Sequence, residues 1–347
     1  MSQPTKYKET KALSQSSLKS LDWNPKKFYE DEYLWLQGIT QTRPEHPISD
    51  SMKIGELVDI HYTRPEDLDS EYVIIPEAPT GQMLIFVDEF FRIESGASNG
   101  YTVPLSEVDI ASIANTAYST AGFKRDTLEK VLERFKTEGA MYYTALRKSI
   151  GKTVASPEIR RTADYIIKSF DQDLFIGPIM RLKETPMLKI YNQMEIYFTW
   201  QGVALKALLD KVVVDHEAKT IQPYDIKTAS DAFPSSFMNW RYDLQGAFYT
   251  LAIEEWAFFN GCEVYKILPF KFIVGYSTGQ RPEIWEMTQG DLTAGEEGGI
   301  NRFGRQVKGY KQLIEQYKWH VENNKWDYSQ EVYESNGVRL LNCYKDE

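Results

Sequence analysis

Three consecutive segments with strand character, within residues 188–228, constrain the fold of this chain more than any other feature. The first, LKIYNQMEIYFTW, alternates and is rich in aromatic and β-branched residues. GVALKALLDKVVVD and TIQPYDIKT follow, and the HEAK between them is typical of a turn. A long helix is predicted from about Pro234 to Phe259, and the strands KFIVGYS and EIWEM and a C-terminal helix come after it. This order predicts an α/β (α+β) fold with a mixed central sheet flanked by helices.

The first half of the chain is predicted to be mostly helical. A serine cluster in SQSSLKSL can cap a helix, and ISDSMKIGELVDIHYTRPEDL predicts a short helix that ends near Pro65. Residues 70–104 look irregular, with short strands such as MLIFV. Residues 105–170 are mostly helical, and the clearest helix start is a capping serine followed by proline at Ser156-Pro157.

The sequence shows no internal repeat, no low-complexity tract and no convincing linker. We therefore predict a single domain over residues 1–347, with N-terminal helices (1–65), a mostly helical insertion (66–155) and the core of the fold (156–347).

Composition narrows the class of protein. The two cysteines, Cys262 and Cys343, are far apart and lack metal-ligand spacing, so a disulfide scaffold or a zinc cluster is not expected. No secretory signal and no run long enough for a membrane span is present, which predicts a soluble, cytoplasmic protein in a reducing compartment. The phosphate-loop, Gly-x-Ser-x-Gly and HExxH motifs are also absent.

The net charge of −10 at first argues against a nucleic-acid partner. The charge is uneven, however, because residues 122–165 hold ten Lys and Arg against six Asp and Glu. An acidic protein can still bind DNA through one local basic surface. The basic residues of this region that could follow a phosphate backbone are Lys124, Arg125, Arg147, Lys148, Lys152, Arg160 and Arg161. The alternative is that these charges only solubilise helix faces.

The candidate chemistry lies on two adjacent predicted strands. Asp210 ends ALLD, and Asp225-Ile226-Lys227 lies inside the next strand. If the strands pair, the two carboxylates can converge, and Lys227 points to the same side as Asp225 because strand residues i and i+2 share a face. Two carboxylates suit Mg²⁺ or Mn²⁺, which would polarise a phosphodiester, while an ammonium offsets developing negative charge.

The acid-x-Lys triplet by itself specifies little, because it occurs three times in this chain. Glu9-Thr10-Lys11 lies in the polar N-terminal segment, and Glu217-Ala218-Lys219 lies in the predicted turn. Only the triplet from Asp225 lies in a strand and follows a strand-end aspartate. A surface ion pair is the competing interpretation for this triplet as well.

The predicted long helix carries two stripes at helical spacing. An apolar face is formed by Phe237, Trp240, Leu244, Phe248 and Leu251, and beside it run Arg241, Gln245 and Tyr249 at i, i+4 and i+8. The polar stripe is either a solvated flank or a set of side chains directed at the metal site and the scissile phosphate.

Taken together, Glu195, GVALKALLD, DIKT and Gln245-x-x-x-Tyr249 resemble the PD-(D/E)XK nucleases of the RecB/Cas4 branch. The pattern is most similar to phage-type exonucleases of the RecE (exonuclease VIII) kind. SQSSLKSLDWNPKKFY and GELVDIHY also resemble the N-terminal helix and the histidine motif of that branch. The likeness touches about residues 14–62 and 156–260 and leaves the middle insertion unmatched.

The resemblance implies a restriction-endonuclease-like nuclease domain and a role for each matching residue. His61, Asp210, Asp225 and the carbonyl of Ile226 would bind Mg²⁺ or Mn²⁺, and Lys227 would be the catalytic lysine. Glu195, Gln245 and Tyr249 would support catalysis, and Arg241 would contact DNA. The family often has Gly where this chain has Ala207, a mild departure.

The expected function is a metal-dependent DNA exonuclease acting in recombination, repair or phage replication, in a bacterial or phage-infected cell. DNA is the expected partner, and the resemblance leaves open a single-strand annealing or recombination protein as a second partner, and an oligomeric state. Two alternatives remain. The chain could be a non-catalytic DNA-binding module on the same fold, or a site-specific endonuclease.

Overall fold

The computed structural model of the protein describes residues 4–44 and 48–338, and Cys343 lies outside them. The chain divides into two compact units. The sheet unit comprises Met1–Pro47 and Lys168–Glu347, and the helical unit comprises Ile48–Ile167. The helical unit begins within the predicted N-terminal helices and extends past the end of the predicted insertion, so its bounds differ from those of the predicted segments.

The helices and strands follow the chain from the N-terminus in three groups. The first group, in the sheet unit, is α1 (Pro4–Glu9), α2 (Gln15–Trp23), α3 (Pro25–Phe28), a π-helical turn (Tyr29–Tyr33) and α4 (Leu34–Leu36). The second group forms the helical unit and consists of α5 (Asp50–Thr63), α6 (Leu68–Glu71), β1 (Tyr72–Ile74), α7 (Gly81–Ala97), α8 (Ile110–Ala121), α9 (Leu128–Glu138), α10 (Ala140–Lys148) and β2 (Thr153–Ala155).

The third group begins with α11, which contains the boundary between the two units, and the elements after it form the central sheet and the helices around it. Its elements are α11 (Pro157–Gln172), α12 (Ile176–Met180), β3 (Leu188–Trp200), β4 (Val203–Asp215), β5 (Thr220–Ala229), α13 (Phe233–Asn239), α14 (Tyr242–Phe259), β6 (Lys266–Ile267), β7 (Lys271–Tyr276), β8 (Glu283–Glu286), α15 (Gln289–Glu297), β9 (Gly299–Ile300), β10 (Gln306–Val307), α16 (Tyr310–Asn323) and α17 (Gln330–Glu334).

The central sheet has the strand order β3-β4-β5-β7-β8, and β6 pairs with β5. The strands from β3 to β5 are antiparallel, β5 and β7 are parallel, and β7 and β8 are antiparallel. The parallel pair requires a crossover, which α13 and α14 provide. The predicted α/β (α+β) fold with a mixed central sheet and flanking helices is therefore confirmed.

The main core packs α14 against one face of the sheet, together with α2 and α16. Leu18 and Leu21 of α2 are fully buried, and burial of such a side chain stabilises the fold by about 1.5–3 kcal/mol. The α2 helix begins where the sequence predicts, because Ser14 and Ser17 form a capping box. This packing fixes α2 beside the strands that carry the candidate site.

In the helical unit, the predicted short strand MLIFV is wrong, because Met83 to Val87 lie in α7. The apolar residues Met83, Phe86 and Val87 recur at i, i+3 and i+4, and all three are buried in a core with α8 and α9. Helical spacing over the longer segment outweighs the local β propensity of the run.

The predicted continuous helix from Pro234 to Phe259 is also wrong. The chain breaks into α13 and α14 at Arg241, which has left-handed backbone angles (φ +54°, ψ +51°). As a consequence Trp240 is 59% exposed at the end of α13 rather than on the apolar face predicted for it.

In the described part of the chain, no helix is long and apolar enough to cross a membrane.

Candidate active site

The candidate site lies where β4 and β5 stop pairing. The two strands are paired up to Lys211 and Tyr224, and their separation begins at the next residues, Asp210 and Asp225. The Asp210 carboxylate bridges the gap, because its Oδ2 accepts the backbone N–H of Ile226 at 2.8 Å. A side chain of β4 thus satisfies a backbone donor of β5 just where the pairing of the two strands has ended.

A distortion in β3 accompanies this divergence. Gln193 lies between the two β3 residues that pair with Leu209 and Lys211, so it faces Asp210, and it has a φ of +48°. A left-handed backbone is uncommon for a residue other than glycine, and such residues cluster at functional sites. The sheet is therefore irregular at Asp210 on both sides of β4.

Asp225 is buried in a small polar network between β5 and α14. Its carboxylate forms an ion pair with the Lys227 ammonium, and its Oδ1 accepts a hydrogen bond from Gln245 Nε2 at 2.8 Å. The Asp225 residue is 1% exposed. The predicted positions of Asp225 and Lys227 on the same face of the strand, and of Gln245 beside them, agree with this arrangement.

The electrostatics of the pair follow from burial and from the neighbouring charges. Burial raises the pKa of the Asp225 carboxyl, and the Lys227 ammonium opposes that rise. Burial by itself lowers the pKa of Lys227, but the charges of Asp225 and Asp210 outweigh it and the net pKa is raised. Lys227 therefore stays an ammonium and lies in the field of both carboxylates.

Two tyrosines of α14 enclose the network. The Lys227 ammonium lies 4.9 Å from the centroid of the Tyr242 ring, a distance at which the ring face attracts a cation. Tyr249 is buried, and burial raises the pKa of its phenol well above 10, with Asp225 and Asp210 adding to the rise. Both tyrosines therefore belong to the electrostatic surroundings of Asp225 and Lys227.

The donor set of the site suits a hard divalent cation. It offers the carboxylates of Asp210 and Asp225, and the Asp210 carboxylate lies against the backbone of Ile226, whose carbonyl is the other predicted ligand from β5. Mg²⁺ keeps several waters and needs only one or two protein carboxylates, so these residues fit Mg²⁺ or Mn²⁺. Within residues 4–44 and 48–338, no group of three or more His, Cys, Asp or Glu side chains is placed to hold a metal.

His61 lies near the end of α5 in the helical unit, where its side chain is exposed and its ring meets Tyr62 edge to face at 4.8 Å. The buried residues of α5 are Leu57, Val58 and Ile60, so His61 is not part of that packed face. Its role as a metal ligand stays a prediction.

Glu195 lies on β3 and accepts a hydrogen bond from the Tyr197 hydroxyl at 2.7 Å. Burial raises the pKa of the nearby Tyr7 phenol, and Tyr197 and Glu195 add to that rise. Tyr7 in turn adds to the electrostatic environment of Tyr249. Glu195 is thus connected to the candidate site through tyrosines, and its catalytic role stays a prediction.

Arg241 is held by protein groups. Its guanidinium donates to Asp243 at 3.0 Å and to the carbonyl of Lys308 at 2.6 Å, and it lies 3.7 Å from an Asp22 oxygen. These contacts stabilise the left-handed backbone at Arg241, which otherwise costs about 1–2 kcal/mol. The structure thus gives Arg241 a positioning role at the α13–α14 break, and its contact with DNA stays a prediction.

Apart from Arg241, the basic residues predicted to contact DNA lie in the helical unit, and they differ in how firmly they are held. Arg147 lies over the ring of Tyr101 at 4.3 Å, Lys152 donates to the carbonyl of Asp69, and Arg160 pairs with Asp164. The exposed members of the set are Lys124, Arg125, Lys148 and Arg161. Their contact with DNA stays a prediction.

Two residues that the sequence reasoning did not single out belong to the site. Tyr242 covers Lys227, as described above. Lys19 of α2 donates to the Trp240 carbonyl at 3.2 Å, and burial lowers the pKa of Lys19, with Lys227 and Arg241 lowering it further. Lys19 stands inside the SQSSLKSL motif, but spacing along the sequence gives no sign that α2 reaches the site.

Comparison with known proteins assigns no family to this chain. No protein-family model matches it, and no curated protein matches it. Among solved structures it is similar to a "putative exonuclease" from Eubacterium rectale, with 11% sequence identity and a TM-score of 0.42. That match covers 99% of this chain and 91% of the other. At this identity and TM-score the likeness supports no conclusion, and function has to be inferred from this chain's own residues.

Proposed function

We propose that this protein is a metal-dependent DNA nuclease that hydrolyses phosphodiester bonds as an exonuclease. One observation carries the proposal. Asp210, Asp225 and Lys227 come together where β4 and β5 diverge, with Lys227 held as an ammonium in the field of both carboxylates. A purely structural ion pair would need neither the second carboxylate nor the interruption of strand pairing. The resemblance to PD-(D/E)XK nucleases adds the substrate class, DNA.

The residues of the chain have separate tasks in this proposal. When bound at Asp210 and Asp225, Mg²⁺ or Mn²⁺ would polarise the phosphodiester and lower the pKa of a water. Lys227 places a fixed positive charge beside the reacting phosphate and offsets the negative charge that develops there. Gln245 fixes the rotamer of Asp225, because its amide holds one carboxylate oxygen.

The experiment compares linear and circular duplex DNA incubated with Mg²⁺ or Mn²⁺. Asp225→Asn keeps the shape of the side chain but removes its charge, and it should slow hydrolysis by about 100-fold or more, the scale for loss of a group that stabilises developing charge. Glu217→Gln is the matched control, since Glu217 belongs to an acid-x-Lys triplet in the exposed turn. It should leave the rate unchanged.

The outcomes separate the three functions. Loss of linear DNA alone supports an exonuclease, whereas nicking of circles indicates an endonuclease. If the wild-type protein degrades neither form but still binds DNA, the protein is a binding module and the proposal is wrong. Equal rates for Asp225→Asn and wild type would also refute it.

A further inference from the structure

The guanidinium of Arg147, in α10, is held by aromatic rings rather than by carboxylates. It lies 4.3 Å from the centroid of the Tyr101 ring and 5.8 Å from the centroid of the Tyr143 ring. Both distances lie within the reach of about 6 Å for a cation–π interaction, and the flat face of a guanidinium also stacks on an aromatic ring. The two tyrosines therefore restrict where the charge of Arg147 can lie.

Other arginines of the helical unit are held in a different way, because each of them forms an ion pair with a carboxylate. These are Arg64, Arg92, Arg134 and Arg160. Within residues 4–44 and 48–338, Arg147 forms no ion pair and donates no hydrogen bond to a protein group. A guanidinium carries five N–H donors in a fork that matches the oxygens of a phosphate. Arg147 is partly exposed, so these donors can meet an anion from solution.

A buried carboxylate anchors the two tyrosines. Glu94 of α7 is 2% exposed, and its Oε2 accepts hydrogen bonds from the Tyr101 hydroxyl, at 2.8 Å, and from the Tyr143 hydroxyl. Burial and the bond to Glu94 raise the pKa of Tyr101 to about 12, so this phenol keeps the proton that it donates. The Glu94 carboxylate thus holds the rings and, among the described residues, forms no ion pair with Arg147.

The backbone that follows α7 takes an unusual path, and this path brings Tyr101 over Arg147. Asn99, Gly100 and Tyr101 have φ values of +47°, +63° and +66°, so three consecutive residues are left-handed. This conformation is rare for an aromatic residue and persists only where the surroundings hold it. The Tyr101 N–H bonds to the Ser98 hydroxyl at 3.2 Å, and its phenol bonds to Glu94. Strained residues of this kind cluster at ligand-binding sites.

We propose that Arg147 binds a phosphate of the DNA backbone and that Tyr101, anchored by Glu94, is the positioning residue that presents its guanidinium. The identity of the anion rests on the proposed nuclease function, because a guanidinium fork fits any phosphate. Lys148 follows Arg147, is exposed and forms no ion pair among the described residues, so it adds a second cation for the same backbone. An arginine that is already ordered loses less conformational entropy when it binds.

The test measures binding of a fluorescein-labelled linear DNA duplex by fluorescence anisotropy in EDTA, which prevents metal-dependent hydrolysis. Arg147→Gln should weaken binding by about 10-fold, the scale for loss of a hydrogen bond to a charged group. The slope of log affinity against log salt concentration, from about 50 to 200 mM, should become less steep by about 0.9, the contribution of one phosphate contact. Arg134→Gln is the matched control, because Arg134 already pairs with Asp126 and Glu138, and it should change neither quantity.

A double-mutant cycle tests the positioning role of Tyr101. Tyr101→Leu removes the ring and should weaken binding by about 2- to 5-fold, as expected for loss of an exposed cation–π contact. In the Arg147→Gln background the same change should leave binding unaltered, because no guanidinium remains to be positioned. An equal effect in both backgrounds would show that Tyr101 acts only on the structure of the loop.

Urea denaturation shows whether Tyr101→Leu folds, and Arg147→Lys takes its place if it does not. Arg147→Lys keeps the charge but removes the planar fork that stacks on the ring. It should weaken binding by about 2- to 5-fold and keep the wild-type salt slope. Wild-type affinity in Arg147→Lys would show that the stacked geometry is not used.

Failure of this inference and failure of the nuclease function give different results. If the wild-type protein hydrolyses DNA but Arg147→Gln keeps the wild-type salt slope, Arg147 does not contact the DNA backbone and the inference is wrong. The inference is also wrong if the wild-type protein does not bind the duplex in EDTA, or if Arg134→Gln changes the slope as much as Arg147→Gln does. If Arg147→Gln changes the slope as expected but neither Mg²⁺ nor Mn²⁺ supports hydrolysis, the phosphate site stands and the nuclease function is wrong.

Discussion

Replacement of Gln245 by methionine tests the network around Asp225 most directly. The two side chains have similar length, so Gln245→Met removes the hydrogen bond to the Asp225 carboxylate without opening a large cavity. A hydrogen bond to a charged group contributes about 1.5–3 kcal/mol, and its loss leaves a buried carboxylate oxygen with one partner fewer. We expect Gln245→Met to lower the free energy of unfolding by about that amount.

The charge on Asp225 determines how much Gln245→Met lowers the free energy of unfolding. A double-mutant cycle measures the part that depends on this charge. In Asp225→Asn the acceptor is a neutral amide, and a neutral hydrogen bond contributes only about 0.5–1.5 kcal/mol. The cost of Gln245→Met should therefore fall by about 1 kcal/mol in the Asp225→Asn background.

The assay is urea denaturation followed by circular dichroism, with all four members of the cycle compared at one pH. Thr250→Val is the control, because Thr250 lies on the same helix and its hydroxyl bonds to the Gly246 carbonyl rather than to Asp225. Its cost should be the same in both backgrounds. An equal cost of Gln245→Met with and without the Asp225 charge would refute the reasoning.

Two further predictions concern the framework of the sheet unit. Gly295→Ala should destabilise the protein by about 1–3 kcal/mol, because a Cβ there would lie 2.1 Å from the Asp243 carbonyl oxygen. Gly290→Ala is the control, because the new Cβ would first meet the Thr288 hydroxyl at 3.6 Å, an ordinary contact distance. The urea midpoint of Gly290→Ala should be unchanged or higher. Equal losses of stability in the two variants would contradict this explanation. Burial lowers the pKa of the fully buried His320 below the ordinary 6.5, so the unfolded chain takes up its proton first. The free energy of unfolding should then be highest above pH 6.5 and decline as the pH falls through that value. Denaturation curves at several pH values measure this decline, and His320→Gln should flatten it. An unchanged slope in His320→Gln would show that His320 does not cause the decline.

The strands that carry the site were predictable from the sequence, because their signals are local. β3 covers the alternating segment LKIYNQMEIYFTW, and β5 contains the DIKT motif as predicted. The same local reasoning failed at MLIFV, where a β-rich run is too short to show the helical spacing of the segment around it. The break at Arg241 could not be predicted, since neither glycine nor proline marks it and the contacts that hold it come from distant residues.

The sequence by itself determined the mixed sheet, the capped helices and the two aspartates and lysine on adjacent strands, because these features depend on residue spacing of two or 3.6 along one segment. The tertiary structure decided how those residues are used. Only packing shows that β4 and β5 separate at Asp210, that Gln245 fixes Asp225, and that α2 brings Lys19 to the carbonyl of Trp240. The physical reason is that burial and the field of neighbouring charges depend on residues far apart in the chain.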